Sequence, residues 1–196
     1  YVLVRAALMN TATTDLYEAR VIGFGDIFPV VAYEPRNIRD DPYVGPFGEG
    51  AGKIDLARAS SALTSGLVVY SAGPAGGDAG PRDFQGTWQA GAVAAGTRSS
   101  QRFILQAAPR SGPFALSFSL SPGRPSDGMR ALPPTWVKLP GGLTVQAGGS
   151  ATADFRLSVP ATAAPGAYGA TVLVRLASGT ILHVPVLVTV PLHDAD

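Results

Sequence analysis

The feature that most restricts this chain is a two-residue alternation of apolar and polar side chains running through residues 151–190. Ala151, Ala153, Phe155, Leu157 and Val159 are apolar, and Thr152, Asp154, Arg156 and Ser158 lie between them. Successive side chains of a strand point to opposite faces, so this spacing predicts a strand with one buried face. Tyr168, Ala170, Val172, Val174 and Leu176 repeat the pattern, and so do Leu182, Val184, Val186, Val188 and Val190. Ala177-Ser178-Gly179 between the two runs supplies turn chemistry, and the pair reads as a hairpin with a shared core face. Pro185 falls on the other face of the second run. It cannot donate to a ladder, which predicts an edge or a bulge for that strand.

Upstream, residues 84–89, 101–107, 114–120, 135–139 and 143–146 supply further short runs punctuated by Gly and Pro. Seven or eight strands at this spacing predict a β-sandwich. Phe155, Leu157, Tyr168, Val172, Val174, Val184, Val186 and Val188 should be buried, with Asp154, Arg156, Arg175 and His183 on the surface. Tyr168 opens the penultimate strand just after Pro165-Gly166-Ala167. That placement fits the tyrosine corner of Greek-key sandwiches, and it also fits an ordinary core Tyr after a turn. The expected fold class is mainly β, an antiparallel immunoglobulin/fibronectin III-like sandwich preceded by a short mixed segment.

That mixed segment occupies residues 1–64. Val2 to Met9 is rich in helix formers, with Val4 and Leu8 one turn apart and Asn10-Thr11 ready to end the helix. Residues 20–50 carry Pro29, Pro35, Pro42 and Pro46 among aromatics, which predicts a pinned loop with short extended pieces. From Gly52 to Ala62, the spacing of Ile54, Leu56, Ala57 and Ala59 predicts a short helix, with Asp55 near its positive end. Residues 65–82 read as a linker and first extended segment, with the Gly/Pro-rich stretch 73–82 as its loop, and residues 83–192 as the sandwich.

Composition removes several classes of function. Charged residues make up 15% of the 196-residue chain, against roughly 25% in typical soluble domains. Net charge is +1, and no Lys/Arg run is long enough to mark a nucleic-acid footprint. Without cysteine there is no disulfide, thiolate metal site or cysteine nucleophile. No apolar run approaches the ~18 residues of a membrane span. The chain starts at Tyr1 with no Met before Met9, and the expectation is that something precedes it in the translation product.

Val4 to Ala12 (VRAALMNTA), followed by Gly48 to Ala59 (GEGAGKIDLARA), resembles the end of the catalytic domain of subtilisin-like serine proteases. In that family a helix ending in a similar Leu-Met-Asn-Thr-Ala follows the nucleophile-bearing helix, and a Gly-Ala-Gly-x-x-Asp segment closes the domain. Gly50, Ala51, Gly52 and Asp55 fit the second pattern. The resemblance implies a secreted endopeptidase as the parent, often with a fibronectin-like C-terminal domain. It also implies partners for residues 1–64, either the rest of the catalytic domain or a second copy of this chain.

The catalytic triad is another matter. Such an enzyme needs a hydroxyl nucleophile, an imidazole and an orienting carboxylate. The family's Gly-Thr-Ser-Met-Ala nucleophile segment is missing from the chain, as are its Asp and His segments. The histidines are His183, predicted on the outward face of the last strand, and His193 in the tail. No catalytic, cofactor-binding or metal-binding residue is therefore assigned, and the chain itself is expected to be inactive and to need no cofactor. The resemblance allows calcium in the parent, since calcium sites occur in that family, but Asp26, Asp40 and Asp41 have no calcium-loop spacing and read as solvated loop acids. The glycines of Gly23-Phe24-Gly25 and Gly48 to Gly52 lack the context of a phosphate loop. Trp88 and Trp136 would make a sugar-stacking platform if exposed side by side, the alternative being core or edge packing. A polysaccharide- or protein-binding module, or a structural fragment without ligand, are the rival functions.

Overall fold

The computed structural model describes residues 2–11, 17–24, 29–35, 56–72, 86–122 and 129–192. Helix α1 spans Val2–Asn10 and helix α2 spans Leu56–Thr64. Between them, β1 (Tyr17–Phe24) and β2 (Pro29–Pro35) form an antiparallel hairpin, which supplies the extended pieces expected between residues 20 and 50. Asp26, Asp40, Asp41, Asp55, His193 and the Gly48 to Gly52 run lie outside the described residues.

The remaining strands are β3 (Leu67–Ser71), β4 (Trp88–Ala92), β5 (Arg98–Ala107), β6 (Phe114–Pro122), β7 (Met129–Ala131), β8 (Val137–Lys138), β9 (Leu143–Val145), β10 (Ser150–Ser158), β11 (Gly166–Leu176) and β12 (Ile181–Val190). They make two sheets, one ordered β3-β5-β10-β8 and the other β4-β12-β11-β6-β9, with β7 also pairing to β11. Most pairings are antiparallel, as expected. Two are parallel, β4 with β12 and β7 with β11, so the sandwich is not antiparallel throughout.

The two sheets face each other across one core. Phe103, Leu105, Ala153, Phe155 and Leu157 come from one sheet, and Trp88, Ala170, Val172, Val174, Leu182, Val184, Val186 and Val188 from the other. All eight side chains predicted from the alternation to be buried are buried. Phe155 sits at the centre. Its ring stacks on Phe103 at 4.7 Å and meets Phe118 edge-on at 5.9 Å and Trp88 at 6.2 Å, so one side chain of β10 joins both layers through aromatic contacts of favourable geometry.

Two surface expectations shift. Arg156 and Arg175 are exposed, but Asp154 and His183 are half-buried. Asp154 is drawn against Arg102, its cross-strand partner, by a 2.8 Å ion pair. His183 lies on β12, which α1 contacts. The hairpin turn is as read, with Leu176 N–H donating to Thr180 O and Gly179 N–H to Leu176 O, and Gly179 takes φ +89°. That backbone region suits a residue without Cβ. The expectation that Pro185 marks an edge holds for half of its strand. β12 is an inner strand, but β4 pairs only with Val186 to Thr189. Pro185 precedes that stretch, where among the described residues no ladder partner on that side asks for its missing N–H.

β3 forms the outer strand of its sheet, from within the segment read as linker and first extended piece. It shows no alternation because both faces are covered. Leu67 and Val69 enter the sandwich core, while Val68 and Tyr70 pack with the helices.

Candidate functional site: the helix–sandwich junction

Helix α1 ends in Leu8-Met9-Asn10-Thr11, the residues that carry the family resemblance, and this end is pressed into the sandwich. Ala6 and Ala7 of α1 and Ala59 and Ala62 of α2 are buried against one another and against Val68 of β3. Small side chains let the two helix backbones approach closely, and the larger Leu8, Leu63 and Tyr70 seal the margin. Burial pushes the Tyr70 phenol pKa up.

Asn10 is fully buried, which for an amide demands partners. Val69 N–H donates to its Oδ1 at 2.8 Å, and its Nδ2 donates to the His183 carbonyl at 3.1 Å. Val69 belongs to β3, the outer strand of one sheet, and His183 to the half of β12 that β4 does not reach. Each would otherwise present an open strand edge to solvent or to another chain. One primary amide, an acceptor at one atom and a donor at the other, thus ties the two sheets to each other and to α1. Thr11 closes the helix by donating its hydroxyl to Ala7 O at 2.7 Å, alongside its backbone N–H to the same carbonyl at 3.1 Å.

Two glycines fit the junction closely. A Cβ on Gly86, just before β4, would stand 3.1 Å from Met9 Cβ and 3.2 Å from Asn10 Nδ2. A Cβ on Gly66, in the turn from α2 into β3, would stand 2.7 Å from Ala62 Cα. Sequence reading assigned neither a role. The signal that could have found Asn10 is its position, a polar residue at the end of a largely apolar helix, but its partners are 59 and 173 residues away and invisible to local pattern.

The two tryptophans singled out in the sequence do not meet. Trp88 is buried in the core and Trp136 is half-buried against Tyr168 at 4.8 Å, so they form no exposed pair. The Tyr168 hydroxyl donates to Ala164 O at 2.7 Å, four residues upstream, the bond that a tyrosine corner makes. Arg130 lies over the Tyr168 ring at 5.9 Å. Among the described residues no group of three or more His, Cys, Asp or Glu could hold a metal ion, and no helix is long and apolar enough to cross a membrane.

No family model matches the chain, and no curated protein matches it. Solved structures give distant likenesses. Tripeptidyl peptidase 2 aligns over 97% of this chain and 14% of its own, at 13% identity and a TM-score of 0.49. A family 123 glycoside hydrolase from Clostridium perfringens aligns over 57% of this chain and 24% of its own, at 15% identity and a TM-score of 0.48. The secreted serine protease VesC from Vibrio cholerae aligns over 52% of this chain and 21% of its own, at 9% identity and a TM-score of 0.36. The chain therefore spans at most about a quarter of the length of these proteins. Two of the three are proteases, but likeness this weak assigns no activity.

Proposed function

We propose that this chain is the non-catalytic C-terminal segment of a secreted subtilisin-like serine endopeptidase, in which the sandwich braces the end of the catalytic domain. The observation that carries the reading is the Asn10 clamp. The helix that resembles the family's Leu-Met-Asn-Thr-Ala element is the one whose terminal amide is buried between β3 and β12. A brace needs such a joint, because a helix tied to both sheets unfolds only when the sandwich edge opens. The Tyr168 to Ala164 bond and the four-strand layer facing a larger one favour an immunoglobulin/fibronectin III-like type for the sandwich.

On this reading Leu3, Val4 and Leu56, which are exposed, face the remainder of the catalytic domain, and hydrolysis takes place on residues that this chain does not carry. The chain needs no cofactor for such a role. A sugar-binding module built on paired tryptophans has no support from the buried Trp88. The purified chain should cleave neither casein nor peptide esters. Turnover that a serine-directed phosphonate abolishes, in a preparation free of contaminating protease, would overturn the proposal.

A further inference from the structure

The near-zero net charge of the chain conceals a strong segregation. Residues 86–192 hold eight Lys/Arg against two acids, Asp127 and Asp154, a net +6. Residues 1–85 hold seven Lys/Arg against ten acids, a net −3, and Asp194 and Asp196 account for the rest.

Part of this positive charge is gathered on the outer face of the sheet β3-β5-β10-β8. Phe103, Leu105, Ala153, Phe155 and Leu157 point inward, so Arg98 and Arg102 of β5, Arg156 of β10 and Lys138 of β8 point out, and all four are exposed. The register sets Lys138 directly across from Arg156, and Ser100 across from Arg156 on its other side. Arg98 faces Ser158 and is thus a diagonal neighbour of Arg156, about 7–8 Å away. Arg102 is engaged by Asp154, whereas Arg98, Lys138 and Arg156 form no ion pair among the described residues. Like charges directly opposite each other weaken a strand pair. The Lys138–Arg156 pairing is therefore repulsive, offset in part by Asp154, on which the Arg156 charge also acts, and an anionic ligand laid across the two cations would relieve it.

The form of the face narrows the ligand. It is a sheet surface rather than a cleft, which suits an extended polymer more than a small molecule. Exposed Ser100 lies between Arg98 and Arg102, exposed Ser158 faces Arg98, and exposed Thr152 lies beyond Asp154; their hydroxyls match those of sugars. A single-stranded nucleic acid would need aromatic platforms for its bases. Tyr70, the aromatic on this face among the described residues, is instead packed into the helical cluster. Binding in a bilayer interface would need a large apolar anchor beside the cations, and the half-buried Ile104 is too small and too covered to be one.

We propose that the outer face centred on Arg156, Lys138 and Arg98 is a docking surface for an anionic polysaccharide. The inference rests on the charge distribution and stands independently of the proposed parent enzyme. The test is binding of the full chain to polygalacturonate in 50 mM salt, with dextran, an oligo-dT strand and phosphatidylserine vesicles as comparisons. Polygalacturonate should bind and dextran should not. Arg156→Gln should weaken binding about fivefold, and Arg98→Gln/Lys138→Gln/Arg156→Gln together on the order of a hundredfold, from the usual contribution of a cation near an anionic surface. Arg175→Gln removes the same charge from the exposed outer face of the other sheet and should change binding less than about twofold. None of these variants should lower the melting temperature, since each removes an exposed cation. No binding by the parent chain, an equal loss in Arg175→Gln, tighter binding to oligo-dT or vesicles than to polygalacturonate, or a triple variant that melts earlier would each overturn the proposal.

Discussion

Replacing Asn10 with Ala tests the joint between helix and sandwich at one atom pair. The substitution strands the buried Val69 N–H and the part-buried His183 carbonyl. An unsatisfied buried donor costs about 1–3 kcal/mol, and the partly hydrated carbonyl adds less. Because Ala is itself a strong helix former, little is regained or lost within α1. The expected loss is therefore about 2–4 kcal/mol. Asn10→Asp separates the two bonds. A carboxylate still accepts from Val69 N–H but sets an oxygen against the His183 carbonyl, and it also buries a charge, so it should be at least as destabilising as Ala. Urea titration followed by fluorescence reads the effect directly, since Trp88 lies in the core two residues from Gly86, which abuts α1. A shift of the midpoint with an unchanged slope is expected. A loss below about 0.5 kcal/mol for Asn10→Ala would show that the clamp carries no stability and that α1 rests on the sandwich without holding it.

Other perturbations probe the parts separately. Phe155→Ala removes the ring that touches Phe103, Phe118 and Trp88 and should cost about 3–5 kcal/mol in the same titration; a loss below about 1 kcal/mol would contradict its central placement. Gly66→Ala places a methyl at 2.7 Å from the backbone of Ala62, and calorimetry should register a drop of about 1–3 kcal/mol, whereas an unchanged transition would mean the turn relaxes freely. The Asp154 carboxyl should titrate below the ordinary Asp range in a carbon-detected NMR titration, because Arg102 hydrogen-bonds it and further cations lie near. A lowered native pKa means that its contribution is present above the unfolded value and fades as pH falls through the native one. Arg102→Gln should move the midpoint up toward the ordinary range, with Arg156 still acting on the carboxyl, and a midpoint that does not move would assign the shift elsewhere.

Legibility in the sequence followed solvent. β10, with one wet face, announced itself by alternation; β11 and β12 were read the same way although their outer faces are largely half-buried, and the buried residues of all three were named correctly from register alone. β3 did not, because helices cover the face that would have been polar, leaving Leu67, Val68 and Val69 a continuous apolar run. β7 is three residues long and gives period too few samples to read. Pro185 was interpretable as an absent donor, but whether the gap lay at a sheet edge or beside a short neighbour depended on β4, nearly a hundred residues upstream. The second helix was expected over Gly52 to Ala62 and is described over Leu56–Thr64, residues 52–55 lying outside the described residues. Asn10 escaped notice as a clamp for the reason already visible in its partners: amide chemistry is local, but the strand edges it satisfies are brought to it only by the fold.

Native-state hydrogen exchange bears most directly on the account, because it measures whether the helices and the sandwich open together. If the Asn10 joint makes residues 2–11 part of the sandwich, the amides of α1 and of β3 should share, within about 1 kcal/mol, the opening free energy of the central strands β11 and β12. That common value should fall in both regions when Asn10 is replaced by Ala. Rapid exchange throughout α1 beside full protection of β11 and β12 would contradict the account, leaving a sandwich that folds alone and a helix that merely touches it.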